Sequence, residues 1–106
     1  MLYFFNVRVN PKDMSQDELW DLWEQEADAA VAAREAGKVV SLYKVAGQRR
    51  VLGILDVESH DELDRILMAV LPMAHNLEFE QILPVRVYDN FHQDLKERWK
   101  SALPGK

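Results

Sequence analysis

The sequence predicts an α+β domain of the ferredoxin-like kind, a β-α-β-β-α-β sandwich with an additional C-terminal helix. Three observations predict it. Two helix starts carry the same Ser-x-x-Glu capping box, at Ser15 and Glu18 and at Ser59 and Glu62, in which the two side chains satisfy amides that the first turn leaves unpaired. Stretches with the two-residue alternation of strands flank each helix. The two middle strands are joined by Ala46-Gly47-Gln48, a connection of hairpin length. With a right-handed crossover in each half, this order builds a four-stranded antiparallel sheet with both helices on one face.

Leu2 to Asn10 is the first strand, with Tyr3, Phe5, Val7 and Val9 on one face and Leu2, Phe4, Asn6 and Arg8 on the other. Asn10-Pro11-Lys12-Asp13 is a turn. The first helix runs from Ser15 to Ala36, and Gly37 suits its left-handed stop. Val39 to Val45 is the second strand. Arg50 to Val57 is the third, apolar on both faces and therefore central. Gly53 within it marks a bulge or a close approach to the backbone. The second helix spans His60 to Val70 and is ended by Pro72. Leu77 to Leu83 is the fourth strand, with Leu77, Phe79, Gln81 and Leu83 alternating against Glu78, Glu80 and Ile82.

Residues 1–84 thus form one ferredoxin-like domain. Residues 85–106 form an arm and helix in which Tyr88, Phe91, Leu95, Arg98, Trp99 and Ala102 follow helical spacing. The arm is expected to pack on a neighbouring subunit, the alternative being its own sheet. Apolar residues on both faces of the first and third strands predict that a second subunit also covers the open sheet face, as in the dimeric α/β-barrel type.

At 106 residues, 48% of them hydrophobic, the chain suits one domain with one core. A net charge of −5 argues against binding nucleic acid or an anionic membrane. Cysteine is absent, which excludes disulfides, thiol catalysis and thiolate metal sites. No apolar run has membrane-spanning length and the start lacks a signal-peptide pattern, so a cytoplasmic location is expected.

Glu26 is the candidate catalytic residue. At about 100° per residue, Leu19, Leu22, Ala30 and Ala33 fall within roughly 40° of it, so a carboxylate sits mid-stripe on the apolar face. Such a group is costly unless paired, hydrogen-bonded or protonated, and burial lifts its pKa toward the range of a general base or acid. Pairing with a structural arginine, Arg8, Arg50 or Arg86, is the alternative. His60, His75 and His92 lie in separate elements without metal-ligand spacing. No glycine-rich phosphate loop or nucleophile elbow is present. No metal or cofactor is therefore expected, and proton transfer by side chains is the available chemistry. Tyr43 is a candidate hydrogen-bond donor to a polarised oxygen. Lys44, Arg49 and Arg50 cluster at the hairpin and can attract an anionic substrate. Arg8 and Asn6 are candidates to face the same cavity as Glu26, and His75 lies in a loop that can reach a pocket.

Over roughly its first 83 residues the chain resembles the muconolactone isomerase family. The resemblance rests on Met1-Leu2-Tyr3-Phe4, Glu26-Ala27, Glu35-Ala36-Gly37-Lys38, Leu42-Tyr43-Lys44-Val45-Ala46-Gly47, and the segment Asp56-Val57-Glu58-Ser59-His60-Asp61-Glu62-Leu63. Ile66-Leu67 and Leu71-Pro72 also fit. It implies a ferredoxin-like subunit in a homo-oligomeric ring, typically a decamer, with C-terminal segments exchanged. It also implies cofactor-free isomerisation of a butenolide in aromatic catabolism, with the family's proton-moving glutamate falling on Glu26. For that chemistry the candidate catalytic set is Glu26 with Tyr43, or a backbone N–H, as donor to the lactone oxygen, and the candidate binding residues for an anionic lactone are Arg8, Lys44, Arg50 and His75. Three stretches depart from the family. Val39-Val40-Ser41 replaces an aromatic-basic pattern, Tyr43-Lys44 a Trp-Arg pair, and Met73-Ala74-His75-Asn76 a Phe-Pro-Tyr-like stretch. The tail is also longer. Other activities compatible with the scaffold are a related lactone dehalogenase, a cofactor-free oxygenase, and a non-catalytic binding or accessory role.

Overall fold

In the computed structural model, which describes residues 1–100, the predicted element order is present. It runs β1 (Leu2–Val9), α1 (Gln16–Glu35), β2 (Val39–Lys44), β3 (Arg50–Asp56), α2 (His60–Arg65), β4 (Leu77–Val85) and α3 (Tyr88–Glu97). The strands form one antiparallel sheet in the order β2-β3-β1-β4. This is the ferredoxin-like arrangement, with the two most apolar strands at the centre.

β1 sets the two faces of the sheet. Tyr3, Phe5, Val7 and Val9 are buried toward the helices, and opposite the first three stand Leu55, Gly53 and Val51 of β3. Leu2, Phe4, Asn6 and Arg8 turn outward with Asp56, Ile54, Leu52 and Arg50. Gly53 is a close approach. A Cβ there would lie 2.7 Å from the Phe5 ring and 2.7 Å from the Ser41 carbonyl oxygen.

Strand β4 departs from the predicted alternation. Leu77 and Phe79 pair with Val9 and Val7 on the helix face, but the register shifts between Asn6 and Val7, so that Gln81 and Leu83 pair with Asn6 and Phe4 on the outer face. One extra residue in a strand inverts the faces beyond it.

The first capping box is complete: the Ser15 hydroxyl accepts from the Glu18 amide at 3.2 Å, and the Glu18 carboxylate accepts from the Ser15 amide at 2.9 Å. Gly37 follows α1 with φ +83°. The second box is half made. Ser59 accepts from the Glu62 amide at 3.1 Å, but the Glu62 carboxylate turns to the Lys38 ammonium at 2.8 Å. After Arg65 the helix widens into a π-turn over Ile66–Val70. Leu71, preceding proline, then adopts extended ψ 134°, as proline demands of its predecessor.

Two clusters make the core. One joins Tyr3, Phe5, Val7, Val39, Leu55, Val57 and Leu67; the other joins Val9, Leu19 and Met73. α3 makes at most marginal backbone contact with the sheet and helices of the domain, and the described molecule extends to 60 Å along its longest axis. The arm is held by its own contacts. Phe91 stacks edge-on with Tyr88 at 5.6 Å and Trp99 at 6.0 Å, and Arg86 lies over Phe91 while bonding Asp94 at 2.6 Å. The helix ends at Glu97, earlier than the spacing predicted, because Arg98 and Trp99 take left-handed φ of 52° and 58°. Ala102 lies outside the described residues.

Candidate active site

Helix α1 reaches the sheet through side chains too small to fill the space beneath it. Leu19 near its start is fully buried. Further along, Ala27, Ala29, Ala30 and Ala33 face a cavity of about 580 Å³ whose opposite wall is the helix face of the sheet. Phe5, Val7, Leu55 and Phe79 contribute to that wall, and Met73 closes one side.

Glu26 projects from α1 into this apolar space. It is half-buried, and its Oε1 accepts a hydrogen bond from the Met73 backbone amide at 3.2 Å. Burial pushes the carboxyl pKa up from its ordinary 4.5, and the Met73 bond opposes the shift without cancelling it. The three arginines that could have neutralised it are engaged elsewhere: Arg8 with Glu78, Arg50 with Glu80 and Arg86 with Asp94. Among the described residues no salt bridge reaches Glu26.

The loop that supplies the Met73 amide is anchored by Asn76. The Asn76 amide donates to the Met73 carbonyl at 2.7 Å, and its side-chain Nδ2 donates to the Asn10 carbonyl at 3.0 Å. Asn10 returns a backbone bond to the Asn76 carbonyl at 2.7 Å. Asn76 is the one buried polar residue among those described. Its side chain ties the loop to the end of β1, and so holds the donor against Glu26.

The structure brings Glu26, Tyr43 and Lys44 to the cavity, and Arg8, Lys44 and Arg50 to a second hollow beside it, while His75 borders neither. Tyr43 touches the cavity from the edge strand, but its pairing with Leu52 turns the ring outward, where it is 68% exposed. Arg8 and Asn6 belong to the outer face of β1, so the expectation that their side chains share the cavity with Glu26 is not met. Asn6 instead bonds the Arg50 guanidinium at 2.6 Å. Lys44 pairs with Val51, a helix-face residue, which puts its side chain on the side of Glu26.

Sequence reasoning expected a cavity at Glu26 but missed its size, the Met73 amide as donor and Asn76 as anchor. The alanine run was the legible signal for the cavity. Nothing local marked the Asn76 anchor, which depends on a contact across 66 positions of chain. No cluster of three or more His, Cys, Asp or Glu with metal-binding geometry occurs among the described residues. No helix among them is long and apolar enough to cross a membrane.

The sequence model of the muconolactone delta-isomerase family matches residues 1–90. The chain belongs to the muconolactone delta-isomerase family. One relative, a muconolactone delta-isomerase of Cupriavidus pinatubonensis, is 38% identical over 68 residues, which are 63% of this chain and 74% of the relative. The crystal structure of a muconolactone isomerase superposes with a TM-score of 0.70, covering 82% of this chain and 90% of its own at 24% identity. At that identity the superposition establishes the fold. The family match extends through β4 into the start of α3, so this muconolactone delta-isomerase family member carries Glu26 and its cavity within the matched region.

Proposed function

We propose that the protein is a cofactor-free isomerase that shifts the ring double bond of an anionic lactone, muconolactone or a substituted relative, by proton transfer through Glu26. The observation that carries the reading is a half-buried carboxylate, unpaired by any cation among the described residues, in an apolar cavity of about 580 Å³. A single carboxylate suffices for the chemistry. The ring carbon beside the lactone oxygen loses a proton, the electrons move through a dienolate, and the carbon next to the carbonyl gains a proton. Glu26 accepts the first proton and returns it at the second position, so the site ends as it began. A carboxyl with a raised pKa serves both halves, since it is a stronger base than an ordinary carboxylate and is still able to give the proton back. The Met73 amide fixes one oxygen and leaves the other to face the substrate. Lys44, on the same side of the sheet, supplies positive charge for an anionic substrate.

The same reading includes assembly. The outer sheet face presents Leu2, Phe4, Ile54 and Leu83 by register, and α3 makes at most marginal backbone contact with its own domain. Other copies of the chain, arranged as a ring, would cover both. The folded unit then ends with β4 at Val85, one residue beyond the expected 1–84, and the described residues after it belong to the exchanged arm.

Proton NMR of muconolactone with the protein in D₂O tests the activity. Double-bond migration, with or without deuterium uptake, is expected for the wild type and is lost in Glu26→Gln. No migration with either protein would reject muconolactone as the substrate and favour a different lactone or a binding protein.

A further inference from the structure

Two hollows meet at the β2–β3 hairpin. The Glu26 cavity and its neighbour, of about 600 Å³, share Val9, Trp20, Trp23 and Lys44. The cavity is apolar through most of its length. The neighbour is basic: Arg8, Lys44, Arg49 and Arg50 border it, and no acidic residue among those described does. The four cations are not equivalent. Arg8 is bound to Glu78 and Arg50 to Glu80. Arg49 has no side-chain partner among the described residues, and Lys44 bonds only the carbonyl of Val45, at 2.9 Å. In a chain of net charge −5, two uncommitted cations at the mouth of an apolar cavity select an anion.

The cavity is larger than a small anionic lactone requires. Muconolactone has about ten non-hydrogen atoms and so fills about 150 Å³ at the close packing of organic solids. The cavity holds about 580 Å³, nearer the volume of sites for drug-sized ligands. The alanines of α1 leave the surplus beside apolar walls, and water there would find few partners.

Resting on the isomerase reading, we propose that the preferred substrate is a carboxylate-bearing lactone with an apolar substituent of roughly six or more carbons. Its carboxylate sits between Lys44 and Arg49, and its apolar body runs past Trp20 and Trp23 to fill the space under α1. Lys44 and Arg49 are thus binding residues for the anion, and Ala30 sets the room for the substituent.

Isothermal titration calorimetry on the full-length protein tests this with three probes: muconolactone, the same carboxymethyl butenolide bearing a hexyl group on its ring, and the methyl ester of the hexyl compound. The hexyl carboxylate is expected to bind at least about tenfold more tightly than muconolactone, and the ester about tenfold more weakly than its acid. The Lys44→Met/Arg49→Met double variant should erase the acid–ester difference and keep the preference for the hexyl group. Ala30→Leu should shrink that preference and keep the acid–ester difference. Equal binding of muconolactone and the hexyl compound, equal binding of acid and ester, or no binding of any probe overturns the proposal. NMR of the same samples separates it from the isomerase reading. Selective binding without double-bond migration rejects the isomerase alone. Migration of muconolactone with no gain from the hexyl group rejects the proposal alone.

Discussion

Replacing Asn76 with alanine tests the link between the loop and the Glu26 carboxylate. The variant keeps the backbone bonds of residue 76 and removes the side-chain bond to the Asn10 carbonyl, 3.0 Å long in a part-buried position. A neutral hydrogen bond contributes about 0.5–1.5 kcal/mol net, and an acceptor left buried without a partner raises the loss to about 1–3 kcal/mol. Taking about 2 kcal/mol, and a sensitivity of roughly 4–8 °C per kcal/mol for a domain near this size, the melting temperature should fall by about 8–16 °C. Circular dichroism at fixed protomer concentration reads this, since assembly would make Tm depend on concentration. The functional arm is independent. The Met73 amide lowers the Glu26 pKa against the effect of burial. A loosened loop weakens that bond, so the pKa rises further. In the proposed isomerisation Glu26 must be ionised to accept a proton, so the acidic limb of the kcat/KM profile should move to higher pH. A Tm loss below about 2 °C, or an acidic limb that stays in place or moves to lower pH, refutes the reasoning.

The same geometry sets three other outcomes. Because burial raises the Glu26 pKa above 4.5, the native state holds that proton to higher pH than the unfolded chain does. The Glu26 contribution to stability therefore falls as pH rises from 4.5 through the native pKa, and urea titrations should show Glu26→Gln gaining on the wild type between pH 4 and pH 7; a constant difference would contradict this. Gly53→Ala would drive a methyl to 2.7 Å from the Phe5 ring and the Ser41 carbonyl, the latter part of the β2 backbone, and should cost about 1–3 kcal/mol in chemical denaturation. Ending the chain after Pro84 should lower the mass seen by light scattering, and an unchanged mass would count against an exchanged arm.

Much of the fold was legible because its signals are local. Ser15 and Glu18 meet within one turn, and Gly37 and Gly47 take the left-handed φ of +83° and +78° that their positions after a helix and in a hairpin suggest. The alternation of Tyr3, Phe5, Val7 and Val9 fixed which face of β1 is buried. The failures were also physical. The bulge opposite Asn6 and Val7 exchanged the faces of β4 beyond Phe79. The outward set of Asn6 and Arg8 could be read from the strand, but not that the cavity lay on the opposite face.

The sequence alone determined that Glu26 lies in the apolar stripe of a capped helix, because helical period and capping depend on residues three and four apart. It also determined the order of strands and helices, and the excess of cations at the β2–β3 hairpin. Only the tertiary structure decided which cations remain uncommitted. Glu78 of β4 reaches Arg8 on the paired strand β1, and Glu80 of β4 reaches Arg50 on β3, one strand further across the sheet. The tertiary structure also decided that Glu26 would be desolvated yet hydrogen-bonded, since the Met73 amide arrives from 47 residues away. Contacts of that span depend on register and on how closely α1 approaches the sheet, which no local pattern encodes.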